Sequence, residues 1–304
     1  MLQIYAAVRD PPFPGAEHAA TIRPPGRVPP PRPSRAYRGP VTTTIFDWAG
    51  TVLDFGCLAP VRAFREVFEA AGVPISEAEA RAPMGAAKRE HIERILADAA
   101  VQARWRAARG AAPTDADVGA LYAAFLSADE RNLERYSDLI PGALDTVARL
   151  RAHGIRIGST TGYPREVMNR LAPLAARLGY RPDHCCTVSD VARGRPFPDM
   201  CLANALALGA PDVRGCVVVD ESPSGLASGL AAGMWAVGGR RAATTVGLSL
   251  ADWHALDADA RAVRVGPARE RLEQAGAHYV IDSIADLPGV IAAIGERLAA
   301  EAPA

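Results

Sequence analysis

Two hydrophobic periods divide the chain. Short aliphatic or β-branched runs ending in a polar, acidic or glycine residue recur at VTTTIFD (from Val41), RIGST (156–160), CVVVD (216–220), WAVG (235–238) and HYVI (278–281), and an apparent further strand closes on Cys185 and Cys186. Runs of this kind suit strands buried on both faces. Between them lie stretches with apolar residues at helical spacing. Leu144, Val147, Ala148 and Leu150, stopped by Gly154, lead directly into the second run. The alternation predicts a doubly wound α/β core around a parallel sheet.

Roughly ninety residues separate the first run from that helix, too many for a simple crossover. Val61, Phe64, Val67, Phe68 and Ala71 repeat at helical spacing, and Ser76 with Glu79 matches a capping box. Pro83 is expected to end that helix and a new one to begin near Gly85, while Val118, Leu121, Tyr122, Phe125 and Leu126 mark a later one. The expectation is an inserted all-helical cap of about four helices over residues 57–136, with the core formed by 41–56 and 137–304. Residues 1–40 hold ten of the 25 prolines and six arginines, and are expected to be a disordered extension.

Composition narrows the function. With 304 residues, 49% of them hydrophobic, the chain can bury an enzyme-sized core. Lys plus Arg and Asp plus Glu both number 34, so no global basic field holds a polyanion, and nucleic acid is not an expected partner. The five cysteines, Cys57, Cys185, Cys186, Cys201 and Cys216, form no C-x-x-C pair, which suits a reducing cytoplasm. No apolar run approaches the roughly 18 residues of a membrane span.

Asp47 closes the first run ahead of W-A-G-T, so a carboxylate stands at the mouth of the sheet beside a glycine-permitted turn whose N–H groups can receive phosphoryl oxygens. Thr160, Thr161 and Gly162 follow the second strand and offer a hydroxyl and close backbone approach at the same edge. Asp220 and Glu221 end another strand before S-P-S-G, as hard oxygen ligands suited to magnesium, and Arg195 in G-R-P-F-P adds a fixed cation. In chain order, a strand-end Asp, a strand-end Thr, a cation before Pro and a late acidic pair, these features resemble the haloacid-dehalogenase signature, from about Val41 to the end of the chain. The resemblance implies a Rossmann-like core with the cap inserted, and Asp47 as nucleophile toward phosphorus. In that superfamily's phosphatases and mutases the residue two after the nucleophile is usually a second aspartate that protonates the leaving group. Here it is Ala49.

Alanine at that position suits a bond whose electrons flow into an iminium, and an iminium needs an amine. Met84, Lys88 and His91, spaced i, i+4 and i+7 and flanked by Ile92 and Ile95, are expected on one face of a cap helix, with Lys88 partly desolvated and its pKa lowered. D-W-A-G-T, Gly56-Cys57, P-M-G with its K-x-x-H step, G-S-T-T-G-Y at 158–163 and G-R-P-F-P at 194–198 together resemble the phosphonatase family. That resemblance implies phosphonoacetaldehyde as substrate, Lys88 as the Schiff-base lysine, and Mg²⁺ held by Asp47, the Ala49 carbonyl and the late acidic pair. It also implies a site lined by Cys57, Met84, His91, Tyr163, Thr161 and Gly162, Arg195 on phosphoryl oxygens, and a homodimer through the caps to which Trp105 contributes. Phosphonatases carry G-D-x-x-x-D at the last motif, whereas this chain has V-V-D-E-S-P-S-G, and which of Asp220 and Glu221 binds metal stays open. The alternatives are a capped phosphatase or phosphomutase acting on a small ester, or a catalytically silent binding protein.

Overall fold

The computed structural model describes residues 37–300. The expected N-terminal extension therefore lies outside the described residues, apart from its end, where the Tyr37 hydroxyl donates to the Pro40 carbonyl at 2.7 Å. Six parallel strands form one sheet: β1 (Thr43–Phe46), β2 (Arg156–Thr161), β3 (His184–Thr187), β4 (Cys216–Asp220), β5 (Trp235–Gly239) and β6 (Tyr279–Ile281), in the order β3-β2-β1-β4-β5-β6. From β1 the chain builds first toward β3, then returns beside β1 and builds the other way, so the order reverses between β1 and β4. In such sheets that reversal opens a crevice at the strands' carboxyl ends. The register pairs Phe46 with Ser159 and with Val219, which brings Asp47, Thr160 and Asp220 level at that crevice.

β1 and β4 are buried along their whole length, as central strands covered by helices on both faces must be. Trp48, wholly buried, fixes the turn after β1: its indole N–H donates to Ser159 Oγ at 3.0 Å and its ring meets Tyr180 edge to face. The resulting turn is tight, with Gly50, Val52 and Leu53 hydrogen-bonded back within it, and Gly50 takes a left-handed φ.

Between β1 and β2 come six helices, of which α6 (Ala143–Ala152) leads into β2 and five form the insert: α1 (Leu58–Ala70), α2 (Glu77–Arg81), α3 (Lys88–Ala97), α4 (Ala99–Arg109) and α5 (Asp115–Tyr136). About four were expected. The additional break is Asp98, whose extended backbone ends α3 while its side chain accepts from Ala100 N and Val101 N and so caps α4. The Ser76/Glu79 capping box forms as expected and opens α2. The helix expected near Gly85 starts at Lys88, because Pro83 and the positive φ of Gly85 keep the preceding residues out of helical geometry. Met84 is thus a turn residue and does not share a helix face with Lys88 and His91.

These helices enclose their own hydrophobic cluster, in which Phe64 stacks on Phe125 at 4.3 Å and on His91 at 3.9 Å. Trp105, expected at a subunit surface, is only 2% exposed and packs inside this cluster. Among the described residues no helix is long and apolar enough to cross a membrane. Phe68 is wholly buried in the same cluster. Phe68→Ala is expected to lower the unfolding free energy by about 3–5 kcal/mol, read by urea denaturation.

Candidate active site

The Asp47 backbone N–H donates to the Val219 carbonyl at 2.9 Å, which continues the β1–β4 ladder by one step and holds the carboxylate over the crevice. Arg195, buried, reaches it from the loop after β3: Nη2 donates to Asp47 Oδ1 at 2.8 Å and to Thr160 Oγ1 at 3.0 Å, and lies 2.9 Å from Asp220 Oδ2. One guanidinium thus bridges the acidic ends of the two central strands. Thr161 does a different job from Thr160. Its Oγ1 accepts from Tyr163 N at 3.0 Å, which leaves the hydroxyl hydrogen available to a ligand in the cleft it lines.

Asp47, Asp220 and Glu221 are all buried, and a ligand oxygen from each lies within 4.8 Å of the others. Asp220 Oδ1 accepts from Ser222 N and Oγ, whereas Oδ2 has the ion pair to Arg195 but no hydrogen bond of acceptable geometry. Glu221 Oε2 accepts from Thr244 N at 2.9 Å. Burial, then the charges of Asp220 and Asp47, push Glu221 up to about 8, and burial with Asp47 also raises Asp220 despite Arg195. The cluster therefore gathers more negative charge than Arg195 offsets, in hard oxygen donors with one orphaned atom, and these residues fit Mg²⁺.

A cleft of about 300 Å³ joins this cluster to the cap. Asp47, Ala49, Thr161, Gly162, Tyr163, Arg195 and Glu221 line it from below, and Cys57, Met84 and Lys88 close it from above. Lys88 is 6% exposed, with Nζ 4.6 Å from the centroid of the Tyr163 ring and 5.8 Å from that of Phe64. Burial lowers its pKa, opposed chiefly by the charge of Asp129. Burial pushes the Cys57 thiol well up, so it is a neutral wall.

His91 is not part of the lining. Its Nε2 donates to the Ala80 carbonyl at 2.8 Å, so the hydrogen sits on Nε2, and burial and then Lys88 hold the ring neutral. It braces the Phe64 ring beneath Lys88 instead. A larger, more apolar cleft against Phe55, Trp253 and Ile281 lies beyond Gly50 and holds none of the cap residues.

Cap and core meet at two glycines. A Cβ on Gly85 would stand 2.4 Å from Ser224 Oγ and 2.6 Å from Ser222 Oγ, and one on Gly162 would stand 2.8 Å from the Ala86 carbonyl oxygen. Arg81 ties the two parts, donating to the carbonyls of Gly56 at 2.7 Å and Thr244 at 3.0 Å.

Several working residues were missed in the sequence. Asp54 caps α1, its two oxygens accepting from Leu58 N and Ala59 N, and Trp48 and Arg81 act as above. Asp129 is wholly buried in α5. Its signal was present, since it stands four residues after Phe125 on the apolar stripe of that helix.

A strand-end carboxylate beside a buried cation, a hydroxyl and a metal-fitting acid pair defines a phosphoryl-transfer hydrolase. The family model for haloacid dehalogenase-like hydrolases matches residues 41–233, and the chain belongs to that family. Within it the chain is 46% identical to the phosphonoacetaldehyde hydrolase of Hahella chejuensis, over 87% of this chain and 90% of that one. It is 48% identical to the phosphonoacetaldehyde hydrolase of Salmonella newport, over 85% of this chain and 97% of that one. The solved phosphonoacetaldehyde hydrolase-like protein of Oleispira antarctica superposes with a TM-score of 0.87 at 43% identity, covering 90% of this chain and 99% of that one. The particular family is thus that of the phosphonoacetaldehyde hydrolases. A β-phosphoglucomutase of Clostridium difficile, at 16% identity and a TM-score of 0.62, shares the fold alone.

Millimolar Mg²⁺ is expected to raise the melting temperature, and Glu221→Gln to remove most of that rise, both read by scanning calorimetry. An unshifted melting temperature in the parent would exclude the acid cluster as a magnesium site.

Proposed function

We propose that this chain hydrolyses phosphonoacetaldehyde to acetaldehyde and phosphate. The observation that carries the reading is Lys88: a buried amine lines the same cleft as Asp47, at the site where Ala49 leaves no second acid beside the nucleophile. The names of its relatives agree.

In this reading the neutral Lys88 amine condenses with the aldehyde to form an iminium, with loss of water. Asp47 attacks phosphorus, the C–P bond breaks, and its electron pair enters the iminium to give an enamine. No oxygen leaving group forms, so no acid is needed at position 49. Water then hydrolyses the aspartyl phosphate, the enamine carbon takes up the proton that this step releases, and hydrolysis of the product iminium frees acetaldehyde. Arg195 and the Thr161 hydroxyl hold phosphoryl oxygens, and Cys57, Met84 and Tyr163 exclude bulk water from the imine. Asp47, Asp220, Glu221 and the Ala49 carbonyl would hold Mg²⁺, which supplies charge neutralisation between the anionic nucleophile and the anionic substrate.

Five unbridged cysteines suit a cytoplasmic setting. A homodimer through the caps also belongs to this reading. With Trp105 buried, it draws support only from the family resemblance.

Purified protein with Mg²⁺ is expected to release acetaldehyde from phosphonoacetaldehyde, and Lys88→Ala to lose at least about 10³-fold in kcat/KM. Turnover of small phosphate esters alone, surviving Lys88→Ala, would favour the mutase-like or phosphatase reading that the D-E-S-P-S-G motif suggests. Gly162→Ala is expected to hold the lid off the core and lower kcat/KM by about 10²-fold with the far-ultraviolet circular dichroism unchanged.

A further inference from the structure

We propose that Asp129 on α5 is a positioning residue for Lys88, the buried counter-charge that appears when the Lys88 amine becomes an iminium and disappears when the amine is released. The proposal rests on the reading of Lys88 as the Schiff-base lysine.

Asp129 has no exposed surface, and neither carboxylate oxygen has a hydrogen-bond partner among the described residues. Its neighbours along the helix face, Phe125 and Ala128, belong to the cap's apolar cluster. An unpartnered carboxyl there weakens the fold where a leucine would not, so packing does not account for it. The aromatic surroundings of Lys88 reach it: Phe125, one turn earlier on α5, stacks on Phe64, whose ring faces the Lys88 amine.

The charged and titratable groups around it leave one match. From α3 come Lys88 and neutral His91, from the segment before α1 Asp54, which is engaged in capping, and from the core Tyr163. Glu66 on α1 pairs with Arg131, and Arg170 in the helix after β2 pairs with Glu130, both at the surface. Lys88 and Asp129 are each other's strongest charge interaction. Burial pushes the Asp129 carboxyl up to about 7, opposed first by Lys88, so near neutral pH it can hold or release a proton.

The proton balance closes. The amine nitrogen bonds to the aldehyde carbon, Asp129 gives its proton to that nitrogen, and the nitrogen passes a proton to the carbinolamine hydroxyl, which leaves as water. The iminium cation and the Asp129 carboxylate therefore arise together, and the net charge of the closed lid does not change. When water hydrolyses the product iminium, the C–N bond breaks, the amine is neutral again, and the released proton returns to Asp129.

The test is the pH profile of acetaldehyde release from phosphonoacetaldehyde by the full-length magnesium-loaded enzyme and its Asp129→Asn, Asp129→Leu and Asp129→Glu variants. Asp129→Asn is expected to lose about 10²-fold in kcat/KM. Because the carboxylate raises the Lys88 pKa, its removal should also move the acid limb of the profile to lower pH. Asp129→Leu should lose activity equally while melting no lower than the parent, and Asp129→Glu should restore part of both rate and limb. An Asn variant within about twofold of the parent, with its limb unmoved, overturns the proposal and leaves the proposed function standing. Loss of rate that tracks a lowered melting temperature without a shift of the limb marks a merely structural role and also overturns it. A parent enzyme that releases no acetaldehyde removes both.

Discussion

Holding the Lys88 amine out of water is the constraint on which the site depends. An exposed lysine at neutral pH is an ammonium and cannot condense with an aldehyde. Burial lowers the Lys88 pKa: the Tyr163 and Phe64 rings enclose its Nζ, and the turn before α3 lies hard against the core. Gly85 and Gly162 permit that approach, since a methyl group at either would collide across the boundary. Arg81 adds hydrogen bonds from α2 to core carbonyls. The closed lid and the buried amine are therefore one structural fact.

The other half of the site is set by sheet topology. Reversal of strand order between β1 and β4 brings two carboxylates to adjacent strand ends, where their repulsion must be met. Arg195 meets part of it through Asp47 and Asp220, and the charge left over is what a divalent cation would neutralise. The departure from G-D-x-x-x-D also has a spatial counterpart. With Glu221 in the place of the motif's first acid, its second falls on Gly225, and a Cβ there would stand 1.9 Å from Asp220 Oδ2. Asp220 thus fills the space that a side chain at 225 would need.

The core was legible because its strands are continuous apolar runs ending in Asp47, Thr160 and Asp220, where period and chemistry coincide. Asp47, Arg195 and the cleft-facing Lys88 follow from those ends and from the family motifs. What sequence spacing misplaced lies in the cap. Met84 has helical spacing to Lys88, but a positive φ at Gly85 overrides it, and Met84 reaches the cleft from a turn. His91 shares the helix with Lys88, yet its ring is drawn to Phe64 and the Ala80 carbonyl. Trp105 turned inward because its helix packs within the cap cluster. Asp129 escaped notice because an acid on an apolar stripe is read as a solvated interruption unless its depth is known.

The central claim is that Lys88 forms a covalent imine in the closed cleft. Sodium borohydride added during turnover of phosphonoacetaldehyde should reduce that imine, and peptide mass spectrometry should place a two-carbon adduct, with or without phosphonate, on Lys88, the single lysine of the chain, and not on the N-terminal amine. Inactivation without an adduct, or full activity after borohydride treatment with Lys88 unmodified, would contradict the account.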